Sequence, residues 1–202
     1  MKSIFYLFTI LLTSSFLNAQ EISYGPILGV NSYDIEVEGP LSSTGASSSL
    51  NFGGFIDYNF KGNFGIRGNL IYNSINESEY YLIENGIGQG KFLDEVKLNM
   101  IQIQGLLKYD VSNNYNKGFY ILGGLRMSNV LSAESNNKDV KEFYKNSNFG
   151  IMLGFGVNFL KHFGLELIPD YTITNTINSD NNKSKNFGEY LNLTFNLESL
   201  IK

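Results

Sequence analysis

The stretch Asn51–Asn73, NFGGFIDYNFKGNFGIRGNLIYN, decides the fold. Its even positions hold Phe52, Ile56, Tyr58 and Phe60, then Phe64, Ile66, Leu70 and Tyr72. Its odd positions include Asp57, Asn59, Arg67 and Asn69. Alternation with period 2 marks a strand with two unlike faces, and a three-residue break joins two such strands as a hairpin. Which of the two faces points inward determines where the protein resides.

The same alternation recurs along the chain and predicts strands at about 22–34, 50–60, 64–74, 95–110, 118–131, 148–160, 163–175 and 186–197. In the sixth, Phe149, Ile151, Leu153, Phe155, Val157 and Phe159 alternate with Asn148, Gly150, Met152, Gly154, Gly156 and Asn158. The fourth slips phase: Val96, Leu98 and Met100 lie on one parity, Ile101, Ile103, Leu107 and Tyr109 on the other. A bulge near Met100 would restore a single apolar face. Pro169, on the apolar face of the seventh strand, has no N–H for the ladder and predicts a local irregularity. The connections at 61–63, 111–117 and 161–162 are short, whereas those at 35–49, 75–94, 132–147 and 176–185 are long and rich in Ser, Asn, Lys and Glu. An up-and-down antiparallel meander with tight turns at one end and long loops at the other fits this spacing.

Composition agrees. Gly at 21, Phe at 16 and Tyr at 13, with 3 Pro and 17% charged residues, favour strands over helices. The opening residues MKSIFYLFTILLTSSFLNAQ carry one base, an apolar run and small residues up to Ala19, which reads as a secretory signal peptide over 1–19 followed by one domain over 20–202. No later run reaches the roughly 18 apolar residues of a membrane helix, so any membrane span must be built of strands. The absence of cysteine excludes a lipoprotein anchor, disulfides and thiolate metal sites. Without Lys2, 14 basic residues stand against 19 acidic ones, a mature charge of about −5 that argues against a nucleic-acid partner.

Period 2 is common to a soluble barrel with an apolar core and a membrane barrel with an apolar exterior, and volume separates them. An eight-stranded barrel has room inside only for its own side chains or one small ligand. The apolar faces carry roughly 40 large residues, more than such an interior holds. The opposite faces carry Gly25, Gly29, Gly53, Gly65, Gly124, Gly150, Gly154, Gly156, Gly164 and Gly188 with compact polar groups, which suit a narrow lumen. The apolar face is therefore expected to meet lipid. Asn-Phe-Gly at 51–53, 63–65, 148–150 and 186–188, with His162-Phe163-Gly164 as a variant, places a Phe near a strand start each time, as an aromatic girdle would require. Phe52 to Phe60 spans about 26 Å along a strand, or about 20 Å along the membrane normal at a 40° tilt.

At Gly29-Val30-Asn31, Ile101-Gln102-Ile103-Gln104-Gly105-Leu106-Leu107-Lys108-Tyr109, Leu122-Gly123-Gly124 and Phe149-Gly150-Ile151-Met152-Leu153-Gly154-Phe155-Gly156, the chain resembles the PorT-like outer-membrane β-barrel family of Bacteroidetes. The resemblance implies a membrane barrel over nearly the whole mature chain. The family often has Pro where Gln104 stands and Arg where Asp170 precedes Tyr171, and the secretion role of its eponymous member does not follow from a shared scaffold.

The charged residues Asp57, Arg67, Lys97, Lys108, Asp110, Arg126, Glu166 and Asp170 are expected on the lumen face, where opposite signs pair as a structural network. No catalytic, cofactor-binding or metal-binding residue stands out, and no cofactor is expected. The single His162 falls in a tight turn. Glu77, Glu79, Glu84 and Asp94 form an acidic loop without the spacing of a calcium site. Asn186, Gly188, Leu191 and Leu193 resemble a signal read by the barrel-assembly machinery. The expectation is a non-enzymatic eight-stranded antiparallel barrel in the outer membrane of a Gram-negative cell. Its N-terminus and tight turns face the periplasm, with lipid around it and a protein or glycan partner at the long loops. The alternatives are a soluble periplasmic carrier of lipocalin type for an apolar ligand, and an outer-membrane hydrolase or acyltransferase.

Overall fold

The computed structural model describes residues 22–38, 43–77, 80–83, 90–93, 96–112, 117–178 and 183–201. The segment expected to be a signal peptide lies outside them. Eight long strands form the wall: β1 (Ile22–Glu38), β2 (Ser43–Lys61), β3 (Phe64–Glu77), β4 (Val96–Asp110), β5 (Gly118–Ser135), β6 (Ser147–Phe159), β7 (Phe163–Thr172) and β8 (Lys183–Phe195). Each pairs antiparallel with the next, and β8 returns to β1, so the sheet closes. A small hairpin, Tyr80–Ile83 with Gly90–Leu93, stands in the connection between β3 and β4. The last residues form a short helix, α1 (Glu198–Ile201).

The stagger of the closed sheet can be traced from partner to partner. Starting at Asp57 and passing through Arg67, Leu106, Gly124, Met152, Asp170, Gly188 and Tyr33, the path returns to β2 at Ser47, ten residues from its start. Strand number and stagger together set barrel width, and eight strands leave an interior that side chains fill.

Large apolar residues cover the middle of the outer wall. Phe52 is 55% exposed and Phe60 48%, and Leu70, Leu107, Leu125, Leu153 and Phe155 are exposed between the two edges. Water does not solvate an apolar band of this extent, and hydrocarbon does. Aromatic pairs line both edges: Phe52–Tyr72 at 5.1 Å on the long-loop side, and Phe64–Tyr109 at 4.8 Å, Phe159–Phe163 at 5.9 Å and Phe163–Phe195 at 5.0 Å on the tight-turn side. The Phe of each Asn-Phe-Gly copy lies on this outer face and the following Gly on the inner one.

Beyond the long-loop edge the two faces exchange character. Tyr33, Ile75, Val96, Leu98, Met100, Val130 and Ala133 turn inward and bury one another. Outside, Ser32, Asn76, Lys97 and Glu134 are exposed, and Tyr72, Asn99 and Ser132 link β3, β4 and β5 through hydrogen bonds of 3.0 and 2.9 Å. The wall there stands in water, so the dry side is the inside. Val140, Tyr144 and Ile177, from the connections after β5 and β7, join the same cluster. Backbone hydrogen bonds from Lys145 to Thr176 (2.8 Å) and from Asn178 to Phe143 (2.7 Å) tie these two connections together across the mouth.

This exchange explains the phase slip of the fourth strand and corrects one expectation. β4 alternates without interruption, with Val96, Leu98, Met100, Gln102, Gln104, Leu106, Lys108 and Asp110 all buried. The register shift does fall at Met100, but the extra residue is Leu131 on β5. Lys97 therefore lies outside the lumen, exposed and opposite Glu134, because the strand has already left the apolar band at that height. Pro169 interrupts pairing on one side only: β7 keeps its register with β6 but skips Ile168 and Pro169, while pairing with β8 is continuous.

Candidate functional site

Seven of the eight charged residues expected in the lumen are buried there: Asp57, Arg67, Lys108, Asp110, Arg126, Glu166 and Asp170. They divide into two groups. Arg67 sits across from Asp57 in the β2–β3 ladder and makes a forked contact, Nε to Oδ1 at 2.5 Å and Nη2 to Oδ2 at 2.6 Å. Its remaining nitrogen, Nη1, reaches Glu166 Oε1 from β7 across the lumen. Lys108 Nζ donates to Asp57 Oδ2 at 3.1 Å, and Tyr120 donates to Glu166 Oε1 at 2.7 Å. The cations also lie against rings: the Arg67 guanidinium is 4.8 Å from the centre of Phe55, and Lys108 Nζ is 4.5 Å from that of Tyr120. Asp110 is fully buried two residues along from Lys108.

The second group lies nearer the long-loop end. Arg126 Nε donates to Asp170 Oδ2 at 2.5 Å, Nη1 to Ser128 (2.8 Å) and Asn148 (2.6 Å), and Nη2 to Thr172 (2.5 Å). Every guanidinium nitrogen thus has a partner, the condition under which a buried charge is tolerated. Asn69, Gln102, Gln104 and Tyr190 form a further polar chain, Asn69 to Gln104 (2.9 Å), Gln104 to Gln102 (3.2 Å) and Gln102 to Tyr190 (2.9 Å). Leu106, Leu122, Met152 and Ile168 pack with Tyr120 and Tyr190, and Ile27, Phe55 and Ile71 pack together, so the lumen is less polar than its small and polar residues suggested.

Sequence reasoning does not single out Tyr120 and Tyr190, because it counts large aromatic residues with the apolar outer faces. Parity was the available signal: Tyr120 stands six residues before Arg126 and so on the same face. Several buried polar atoms lack a protein partner, among them Glu166 Oε2 and Asn192 Nδ2 on directly paired positions of β7 and β8.

At the tight-turn end the lumen closes in a dent of about 10 Å³ lined by Ser23, Asp57, Arg67, Asn158, His162, Thr194 and Asn196 among others, room for about one water. His162 Nδ1 lies 2.5 Å from Ser199 Oγ. The chain beyond β8 crosses this mouth beside Gly25, where a Cβ would come 1.7 Å from the Phe195 carbonyl oxygen. Gly25→Ala should therefore shift the end of β8 and cost roughly 1–3 kcal/mol of overpacking, read as a lower temperature at which the folded band is lost in unboiled electrophoresis. The acidic loop residues Glu79, Glu84 and Asp94 lie outside the described residues, and among the described residues no group of three or more His, Asp or Glu could hold a metal ion.

The chain is similar to several solved structures. Neisserial surface protein A has 15% identity and a TM-score of 0.50, with 88% of this chain and 100% of that one covered. Ail of Yersinia pestis has 11% identity and a TM-score of 0.48 over 88% and 99% of the two chains. OprG of Pseudomonas aeruginosa has 13% identity and a TM-score of 0.39 over 85% and 93%. No curated protein matches the sequence. The family model described as outer membrane protein beta-barrel domain matches residues 18–178, four-fifths of the chain. The apolar band is thus the surface that meets the bilayer of the outer membrane, and the chain belongs to the outer membrane protein beta-barrel domain family.

Proposed function

We propose that this is a non-enzymatic outer-membrane barrel whose lumen network is a structural filling and whose long loops and water-exposed upper wall do the binding. The observation that carries the reading is that both ends of the lumen are filled: ion pairs and a one-water dent at one end, an apolar plug at the other. A path for solute would need a continuous wet cross-section, which eight strands do not leave once side chains occupy the interior. The tight turns face the periplasm and the long loops the exterior, an orientation supported by the standard asymmetry of outer-membrane barrels. The partner at the loops is a protein or glycan.

PorT-like membership is part of the same proposal, supported by the Ile101–Tyr109 and Phe149–Gly156 motifs in β4 and β6. So is delivery by the barrel-assembly machinery. Gly188 is buried on β8, Leu191 and Leu193 face outward, and the strand ends on an aromatic, Phe195. The test is reconstitution into a planar bilayer beside protease treatment of intact cells. The expected results are no steady conductance and cleavage confined to the long connections. Persistent conductance steps would overturn the closed lumen, and cleavage at the tight turns would reverse the orientation.

A further inference from the structure

The turn between β6 and β7 is built against local preference. Leu160 and Lys161, the first two of the three residues between the paired Phe159 and Phe163, both have left-handed backbones, at φ 50° and 63°, a region that side chains other than Gly, Asn and Asp seldom occupy. Leu160 is also 76% exposed, the most exposed large apolar residue among the described ones. The turn thus holds a bulky apolar side chain in an uncommon backbone and exposes it outside the barrel.

The chain end supplies a second apolar group at the same place. After Phe195 it folds back under the wall, held by Asn196 N–H to His162 O (2.7 Å), Leu197 N–H to Tyr24 O (2.9 Å) and the Ser199–His162 contact. Asn196 and Ser199 are thereby turned to the mouth, while Leu197 and Leu200 stay exposed, Leu200 at 58%. Leu160 directly follows Phe159 of the girdle and Leu197 comes two residues after Phe195, whose ring packs on Phe163 at 5.0 Å. Even fully extended, one or two residues advance no more than about 3–7 Å, so neither Leu160 nor Leu197 lies farther than that beyond its aromatic neighbour. The headgroup layer on each side of the hydrocarbon is about 5–8 Å deep. Leu160 and Leu197 therefore fall within that layer and continue the lipid-facing surface, Leu200 follows three residues on in α1, and exposed Lys161 stands next to Leu160.

We propose that Leu160, Leu197 and Leu200, with Lys161, form an interfacial foot that seats in phospholipid headgroups at the tight-turn end. It fixes the depth of the barrel and holds the chain end over the lumen mouth. The proposal rests on the tight-turn end facing the phospholipid leaflet, and its occupant is the lipid surface itself.

The chain has no tryptophan, so Leu200→Trp introduces a single reporter. The full-length variant is reconstituted in vesicles of phosphatidylcholine and phosphatidylglycerol, with Phe155→Trp, in the middle of the band, as a parallel protein. Expected for Leu200→Trp are blue-shifted emission, quenching by lipids brominated near the headgroup and protection from acrylamide. Lys161→Glu in the same background should weaken the quenching more in phosphatidylglycerol-rich vesicles than in pure phosphatidylcholine. Red-shifted emission open to acrylamide, with Phe155→Trp still quenched by brominated chains, overturns the foot and leaves the barrel standing. If Phe155→Trp is not quenched, the membrane reading itself has failed. Shielding seen only in native outer membranes and not in phospholipid vesicles would identify a protein occupant and overturn the lipid assignment.

Discussion

Arg67→Met should yield almost no barrel that migrates as folded in unboiled samples. Arg67 is the common partner of Asp57 and Glu166, and all three are essentially excluded from solvent. Burying these charges costs several kcal/mol each, and the pairing offsets that cost only while both signs remain. With the arginine gone, Asp57 retains Lys108 at 3.1 Å, but Glu166 keeps only the Tyr120 hydroxyl and a second oxygen that has no protein donor. The expected loss is roughly 3–5 kcal/mol, a large share of the 5–15 kcal/mol that holds a typical fold.

A second change separates this account from simple loss of volume. Adding Glu166→Gln to Arg67→Met removes one charge of each sign and leaves Asp57 with Lys108. Folding should return in most of the population, measured as the fraction of heat-shiftable band after refolding into detergent. A double variant no better than the single one would mean that Arg67 acts through its stacking on Phe55 and not through charge balance.

Leu98→Asp and Lys97→Asp, adjacent on β4, should behave in opposite ways. Leu98 is 2% exposed inside the apolar cluster of the upper wall, where a carboxylate has no cation within the cluster. The cost is roughly 3–5 kcal/mol, and its site is above the bilayer. The mouth connections, whose Val140, Tyr144 and Ile177 pack there, should become sensitive to protease while the lower barrel stays folded. Lys97 stands in water opposite Glu134, so reversing its sign should change stability by less than about 1 kcal/mol. If Lys97→Asp were the damaging change, the outward placement of Lys97 would be wrong, and with it the height assigned to the outer edge of the lipid band.

These two residues also show where reading the sequence stopped. Within the lipid band, period 2 assigns faces residue by residue, because lipid outside and a narrow lumen inside impose one rule on every strand. That rule placed Asp57, Arg67, Lys108, Asp110, Arg126, Glu166 and Asp170 on the inner face, where they are found. The same rule, continued past the band, put Lys97 inside. The rule reverses where water replaces lipid, and a phase slip in one strand cannot by itself be told from a bulge. Only the register of β4 against β5 distinguishes them, by showing the extra residue at Leu131.

The sequence by itself determined the strand count, the alternation of tight turns with long connections and the apolar exterior, since these follow from local periodicity and from how much volume a closed barrel can hold. The tertiary structure alone decided who pairs with whom. Arg67 and Glu166 are 99 residues apart, Arg126 and Asp170 are 44 apart, and the Asn192 amide meets Asn51 across 141. Such contacts are set by the ten-residue stagger of the closed sheet, a property of the whole ring that no single strand encodes. The same holds for the mouth connections that bury Tyr144 and Ile177 together and for the chain end folded back on His162. Each is a meeting of segments whose local patterns carry no sign of one another.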